Sequence, residues 1–391
     1  MHRSELHAVP AEQAFPRSEY DARIARARDA MASADLDLLM LHSLPDICWL
    51  TGYQTPLSDW YACLVLPLEG EFVLQVCDHE LAAVNTYVDT FLPVQWQDMD
   101  AAPGELAAFL RSSHAGRRRI GVQSRRPGLT AHVDAALRAG MPVAQFRDAS
   151  DLVVRLRAVK SAAEIACLRE AARMSTAGMD AALRSIRVGA TENDVAAAAM
   201  QAIVAEGGEY FSIDPIVRSG PRSGITHGTA KRRVLARGDG IVMEIGGVYQ
   251  RYCAPLLRTA VIGPPSDDLR RLCDVSLAAM DLLFANLRPG RTMGDVASAA
   301  MPALAALDDR VRTRGYFGYA VGIGFPPSWV ERSVEIAEGR DDVLAPGMTF
   351  HLHRALRVPG VMGVGFSETA VITDTGYELL THHPRELIIA A

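Results

Sequence analysis

The sequence predicts two domains of different class, an α/β domain over residues 1–155 and an α+β domain over residues 156–391. Three observations predict this. Through the first ~155 residues short β-like runs alternate with helical segments, the pattern of an α/β domain. A capping box at Ser161 and Glu164 then opens a new helical segment: the serine hydroxyl caps an early backbone N–H and the glutamate reaches back. Beyond it one pattern occurs twice, with Gly189, Thr191, Asp194 and Val195 recurring as Gly290, Thr292, Asp295 and Val296.

In the first domain residues 36–41, 61–66, 71–76 and 119–122 read as strands, and Pro67, Leu68, Glu69 and Gly70 as the turn joining two of them. The basic cluster of Arg117, Arg118 and Arg119, with Arg125 and Arg126, is short, has no interleaved aromatics and reads as a solvated loop. In the second domain the helix after Ser161 is apolar at Ile165, Leu168, Ala171 and Met174, the spacing of one buried face. Each copy of the repeat follows a helix, turns at glycine, restarts at a threonine cap, enters an Ala-rich helix and leads into strand-like sequence. Two such halves predict a pseudo-symmetric unit in which helices back a curved sheet. Sites in such units lie where the halves meet.

With 49% hydrophobic and 22% charged residues, the chain can build a sizeable core under a polar surface. Its formal charge of −6 gives no electrostatic reason to expect nucleic acid or an anionic membrane as partner. The six cysteines, Cys48, Cys63, Cys77, Cys167, Cys253 and Cys273, form no CxxC pair, and buried reduced thiols are expected. Residues 1–20 are polar and lack the apolar core of a signal peptide, and no run approaches the ~20 apolar residues of a membrane span. The cytoplasm is the expected compartment.

The chemistry concentrates in residues 238–259. Gly238 to Gly247 and then Tyr252 to Thr259 have the frame of a strand pair that holds two metals, with the metal chemistry removed. Together with the linker 156–164, the repeat, Gly318–Gly322, Ala345–Phe350 and Ser367–Thr369, this stretch resembles the creatinase/prolidase/methionine-aminopeptidase superfamily, the pita-bread enzymes. The resemblance covers nearly the whole chain. It implies a creatinase-like N-terminal α/β domain followed by a pita-bread catalytic domain, assembled as a homodimer. Peptidases of this superfamily hold two divalent metals with two Asp, one His and two Glu. Carried over position by position, these fall on Glu244, Pro255, Tyr319, His353 and Ser367, with Glu368 beside the last. Proline has no ligand atom, and a two-metal site needs bridging carboxylates, so no metal and no cofactor are expected, with a single metal on Glu244, His353 and Glu368 as the alternative. His227 stands where the superfamily keeps a substrate-facing histidine, a residue able to exchange a proton near neutral pH.

Within the superfamily the chain is similar to ectoine hydrolases, which open a cyclic amidine without a metal. The similarity runs through Gly318–Gly322 to Phe325–Glu331, Pro346–Leu352, Gly365–Thr369 and Trp49–Tyr53. It implies hydrolysis of a non-peptide C–N bond in a small cyclic amidine or related amino-acid derivative, with no partner beyond the small molecule. Glu244 would attack the amidine carbon or activate water, His227 would move the proton, and Glu368 would complete the catalytic set. A buried pair with Arg258 is the other reading of Glu244. Glu331 and Glu368 are candidate amidinium partners, and Glu331 reads equally as a surface residue after a Pro-Pro turn. Tyr319 is a substrate contact or a packing residue, and His353 a pocket residue. Trp60, Tyr61 and Trp329 could wall the pocket or sit in the core. Arg218, Arg222 and Arg354 are candidates for binding a substrate carboxylate. A creatinase-like amidinohydrolase, an Xaa-Pro peptidase and a non-catalytic binding protein remain alternatives.

Overall fold

The computed structural model describes residues 12–88, 92–112, 118–313 and 315–390. The expectation for the N-terminal segment therefore lies partly outside the described residues, as does Arg117. The chain divides into two units, Met1–Arg157 and Ala158–Ala391.

The first unit is built on β1 (Leu38–Leu41), β2 (Cys63–Pro67), β3 (Val73–Cys77), β4 (Leu92–Trp96), β5 (Arg119–Val122) and β6 (Gln145–Asp148). They form one mixed sheet in the order β4-β3-β2-β1-β5-β6. The β1–β2 and β2–β3 pairs are antiparallel and β1–β5, β3–β4 and β5–β6 are parallel, as expected when hairpins and helical crossovers alternate. Met40, Cys63 and Ile120 are fully buried between the sheet and its helices. The basic cluster is only partly the expected solvated loop: Arg125 and Arg126 lie in the turn after β5, with Arg125 mostly exposed, whereas Arg119 belongs to the strand. Arg119 opens β5 and pairs with Asp35 and with Asp37 at 2.6 Å, and Arg125 and Arg126 pair with Asp151 at 2.7 and 2.8 Å. All six cysteines are buried free thiols.

The second unit opens with the helix Ala162–Ser185, whose N-terminus carries the expected capping box, and this helix buries Leu168, Ala171 and Met174. The repeat is structural as well as sequential. Gly189 and Gly290 turn at φ +86° and +84°, a conformation glycine adopts without a Cβ clash. Thr191 and Thr292 each cap a helix by accepting the N–H of the aspartate three residues on, and each bridges to the approach of a strand, at Val234 and Val343.

The strands are β7 (Ile216–Ser219), β8 (Gly240–Tyr249), β9 (Tyr252–Ile262), β10 (Tyr316–Phe325), β11 (Ser328–Ala337), β12 (Thr349–Val358), β13 (Met362–Ile372), β14 (Tyr377–Leu379) and β15 (Ile388–Ala390). Their path is β14-β13-β12-β10-β9-β8-β7, with β11 paired to β10 and β15 to β9. One face packs on the helices through Met243, Ile245, Leu256, Phe350, Leu352 and Phe366. The halves can be matched residue by residue. Gly238 and Gly347 both turn at φ +86° two residues before β8 and β12, so Glu244 and His353 are each the fifth residue of their strand. By the same reasoning Leu257 matches Ser367, and Arg258 matches Glu368.

Candidate active site

Side chains alternate between the faces of a strand, so the pairing register decides which groups can meet. Glu244 lies opposite Leu257 on β9 and Ile216 on β7, on the face away from the helices. Arg258 lies opposite Met243, on the helix side. The alternative pairing of Glu244 with Arg258 is therefore ruled out by register. Arg218 on β7 shares the Glu244 face, and Arg357 on β12 shares the face of His353. The charges that bear on the Glu244 carboxyl are these two guanidiniums. Burial nevertheless raises its pKa above the ordinary carboxylate value.

His227 sits in the loop between β7 and β8, with a left-handed backbone at φ +55°. Two arginines hold this loop on either side of it: Arg218 Nη1 donates to the Ile225 carbonyl, and Arg222 Nη2 to the Thr229 carbonyl at 2.8 Å. The loop also rests on the β12–β13 hairpin, where Gly363 N–H donates to Ser223 Oγ at 2.8 Å. Gly363 has no side chain, and a Cβ there would strike the Ser223 carbonyl. This packing brings His227 into the field of Arg218 and Arg357. Partial burial and those two cations lower its pKa, so the imidazole is neutral at pH 7 and able to accept a proton.

The second half of the sheet contributes a neutral hydrogen-bonded wall. Trp329 Nε1–H donates to Tyr319 Oη at 2.6 Å, and Tyr319 Oη meets His351 Nδ1 at 2.8 Å. His351 Nε2 meets Ser367 Oγ at 2.6 Å, and Leu257 N–H donates to the same Oγ at 2.7 Å. Burial lowers the His351 ring to about 3, so it is neutral and carries one proton. The five groups then hold five protons and share four links. Whichever tautomer His351 adopts, one hydroxyl proton, on Tyr319 or on Ser367, is left to donate on this face. The Glu244 charge bears on the Tyr319 phenol and, with burial, raises its pKa further. His353 packs against Tyr316, Tyr319 and His351, with ring centroids 5.6–5.8 Å apart. Trp329 lies under Gly246, where a Cβ would stand 3.2 Å from its ring.

Glu244, His227, Tyr319 and His353 are thus brought to one region, while other sequence candidates are engaged elsewhere. Glu368 points to the helix side, where it accepts from Arg258 Nη2 at 2.7 Å and from Thr381 Oγ1 at 2.5 Å. Glu331 is no surface residue; it is 3% exposed and pairs with Lys160 at 2.7 Å. Arg222 is bound to Glu192 at 3.1 Å, and Arg354 points away from the site, over the Phe317 ring. Trp60 and Tyr61 belong to the first unit, where Trp60 packs on Trp96 and Tyr61 is buried in the core. Trp329 serves the wall through its indole N–H. Sequence reasoning put Ser367 at an aligned metal position but gave no role in the site to it, to Arg357 or to His351. The signal for all three was their even spacing from His353 on β12 or their pairing across β12 and β13.

The five positions that the superfamily resemblance assigns to two metals carry few free donors in this chain. Pro255 offers a carbonyl already bonded to Thr369 Oγ1, and Tyr319 and Ser367 are committed to the His351 chain. Glu244 is the one carboxylate in the set. Among the described residues no group of three or more His, Cys, Asp or Glu is arranged to hold a metal ion. The donor set does not fit a two-metal centre.

Comparison with known proteins agrees with the architecture. Residues 166–374 match metallopeptidase family M24, and residues 23–159 match the creatinase/prolidase N-terminal domain. The ectoine hydrolase of Halomonas elongata is 29% identical over 96% of this chain and 98% of its own length. A probable dipeptidase, PepE, of Mycobacterium tuberculosis is 31% identical over 96% of this chain and 98% of its own. The crystal structure of the prolidase from Pyrococcus horikoshii superposes with a TM-score of 0.82 at 23% identity, covering 94% of this chain and all of that one.

Proposed function

We propose that this chain, which belongs to metallopeptidase family M24, hydrolyses a non-peptide C–N bond in a small amino-acid derivative without the two-metal centre of its peptidase relatives. Family membership makes it a hydrolase of the M24/creatinase superfamily. The observation that carries the finer reading is the replacement of the metal set by a single carboxylate, Glu244, facing a neutral histidine, two guanidiniums and a spare hydroxyl proton. A cyclic amidine of the ectoine type is the leading substrate, and its support is the similarity to the Halomonas enzyme. A creatine-like amidino compound fits the same chemistry.

The reaction consumes one water. Its oxygen becomes the amide oxygen at the former amidine carbon, and its two protons end on the departing nitrogen as an ammonium. Glu244 is the group that adds to the amidine carbon or draws the proton from water, and its raised pKa makes it the stronger base for either task. His227, neutral at pH 7, carries the proton to the leaving nitrogen. The spare hydroxyl of Tyr319 or Ser367 donates to the polarising C–N system where the relatives place a metal.

The test is a turnover screen of chelator-treated, full-length protein with ectoine, creatine and an Xaa-Pro dipeptide. Ring opening that survives chelation is the expected result. Cleavage of the dipeptide alone, lost on chelation and restored by a divalent metal, sinks this reading. It would establish the second one, a metal-dependent dipeptidase, which the names of the mycobacterial and archaeal relatives favour.

A further inference from the structure

We propose that Glu192 is a positioning residue for His227: its buried carboxylate clasps both feet of the loop that carries the imidazole and so fixes the ring in the Glu244 region. Glu192 opens the helix Glu192–Ala205 and is fully buried. Its Oε1 accepts from Ser219 N–H and from Ser219 Oγ, each at 2.8 Å, and its Oε2 accepts from Lys231 N–H at 2.9 Å. Arg222 Nε donates to the same carboxylate at 3.1 Å, while its Nη2 reaches the Thr229 carbonyl at 2.8 Å. Ser219 ends β7, where the loop begins, and Lys231 lies on the limb that returns from His227. One carboxylate therefore joins the two feet of the loop and, through Arg222, braces it between them.

The duplication shows that the fold does not require this charge. Thr191 matches Thr292, so Glu192 matches Met293. Ser219 pairs with Ile241, the second residue of β8, and Ala320 pairs with Phe350, the second residue of β12. Ser219 therefore matches Ala320. Met293 and Ala320 are buried in one apolar cluster. The scaffold is thus stable with methionine and alanine at the positions where the first half keeps a carboxylate and a serine. Burying a charge is costly, and apolar packing in its place is often neutral or stabilising. The half that keeps the charge is the half that carries His227. The left-handed backbone of that histidine also costs energy and persists only where the surroundings fix it.

The inference rests on the hydrolase reading only for its effect on turnover, so the test reads His227 directly. The charged and titratable groups that bear on the ring are Arg218 on β7 and Arg357 and His353 on β12. Histidine-selective NMR spectra of the full-length protein give the titration, and the His227 signal is the one missing from His227→Gln. In wild type the midpoint should lie below 6.5. Glu192→Gln turns an amide N–H₂ toward donors and releases the loop, which takes the ring away from the guanidiniums and into water. The midpoint should then rise toward 6.5, with kcat about tenfold lower and KM nearly unchanged. Arg222→Gln, at a partly exposed position, should move both in the same direction by less, and it decides alone if Glu192→Gln does not fold. Thr191→Ala removes the cap of the same helix without touching the loop. It should lower the melting temperature and leave the midpoint in place. An unmoved midpoint in the loop variants, or an equal shift in Thr191→Ala, overturns the positioning role. A shifted midpoint in a protein that turns over no C–N substrate would defeat the hydrolase reading and leave the clasp standing. Turnover with a kcat and a midpoint unchanged in Glu192→Gln would do the reverse.

Discussion

The two halves of the second unit place side chains at matching positions and use them in opposite ways. In the first half Arg218 and Glu244 carry charge, and His227 sits on a loop above them. In the second half the corresponding residues are Tyr319 and His353, joined by His351 and Ser367 in a chain of neutral hydrogen bonds. One half keeps buried charge without close pairing, at a cost the fold must offset. The other satisfies its polar atoms almost completely and supplies a fixed wall. A duplicated scaffold has in this way separated buried charge from a neutral hydrogen-bonded wall, an arrangement in which a poorly paired charge is held against a rigid neighbour.

The largest expected effect probes the charged half. Glu244→Gln should lower kcat/KM by about 10⁴-fold. Burial already disfavours the charged carboxyl, so the melting temperature should hold or rise. Retained turnover, or a loss that tracks unfolding, would break the contrast between the halves.

The next probe is the point where matching residues of the halves meet. Arg258 and Glu368 are equivalent positions on β9 and β13, and they form an ion pair with both side chains at most 2% exposed. Arg258→Ala leaves a buried carboxylate alone and should cost about 3–5 kcal/mol in denaturant unfolding. Replacing both residues by methionine should recover much of that loss. A small effect of the single change would show that the pair does not join the halves.

The smallest effect concerns the neutral half. The folded His351 ring stays neutral down to about 3, whereas the unfolded ring takes a proton below 6.5. Between those values the unfolded state binds more protons, so stability falls as pH falls. The slope from this residue is at most about 1.4 kcal/mol per pH unit. The difference between wild type and His351→Gln in unfolding free energy should show that slope over this window. Parallel pH profiles would mean that burial does not hold the folded ring neutral over this window.

Much of this was legible along the chain. The glycine turns, threonine caps and capping box are local devices, and each appears where the sequence implies it. The family resemblance covered both domains, and it aligned Glu244 and His227. The misplacements share one cause. Glu368 stands beside Ser367, and adjacent residues on a strand point to opposite faces, so a shift of one position exchanged a buried ion pair for a site residue. Glu331 read as a surface residue or an open carboxylate because its partner, Lys160, is remote in sequence.

By itself the sequence determined the two-domain order, the duplication, the pita-bread class and the loss of the metal-bridging residue at Pro255. These depend on residue type and short-range spacing, which a linear chain displays. The tertiary structure alone decided which carboxylates are engaged, which arginines share the Glu244 region and that the His351 chain leaves one hydroxyl proton over. Those outcomes depend on strand register and on partners far apart in the chain, and burial then sets the cost of every charge left without a close partner.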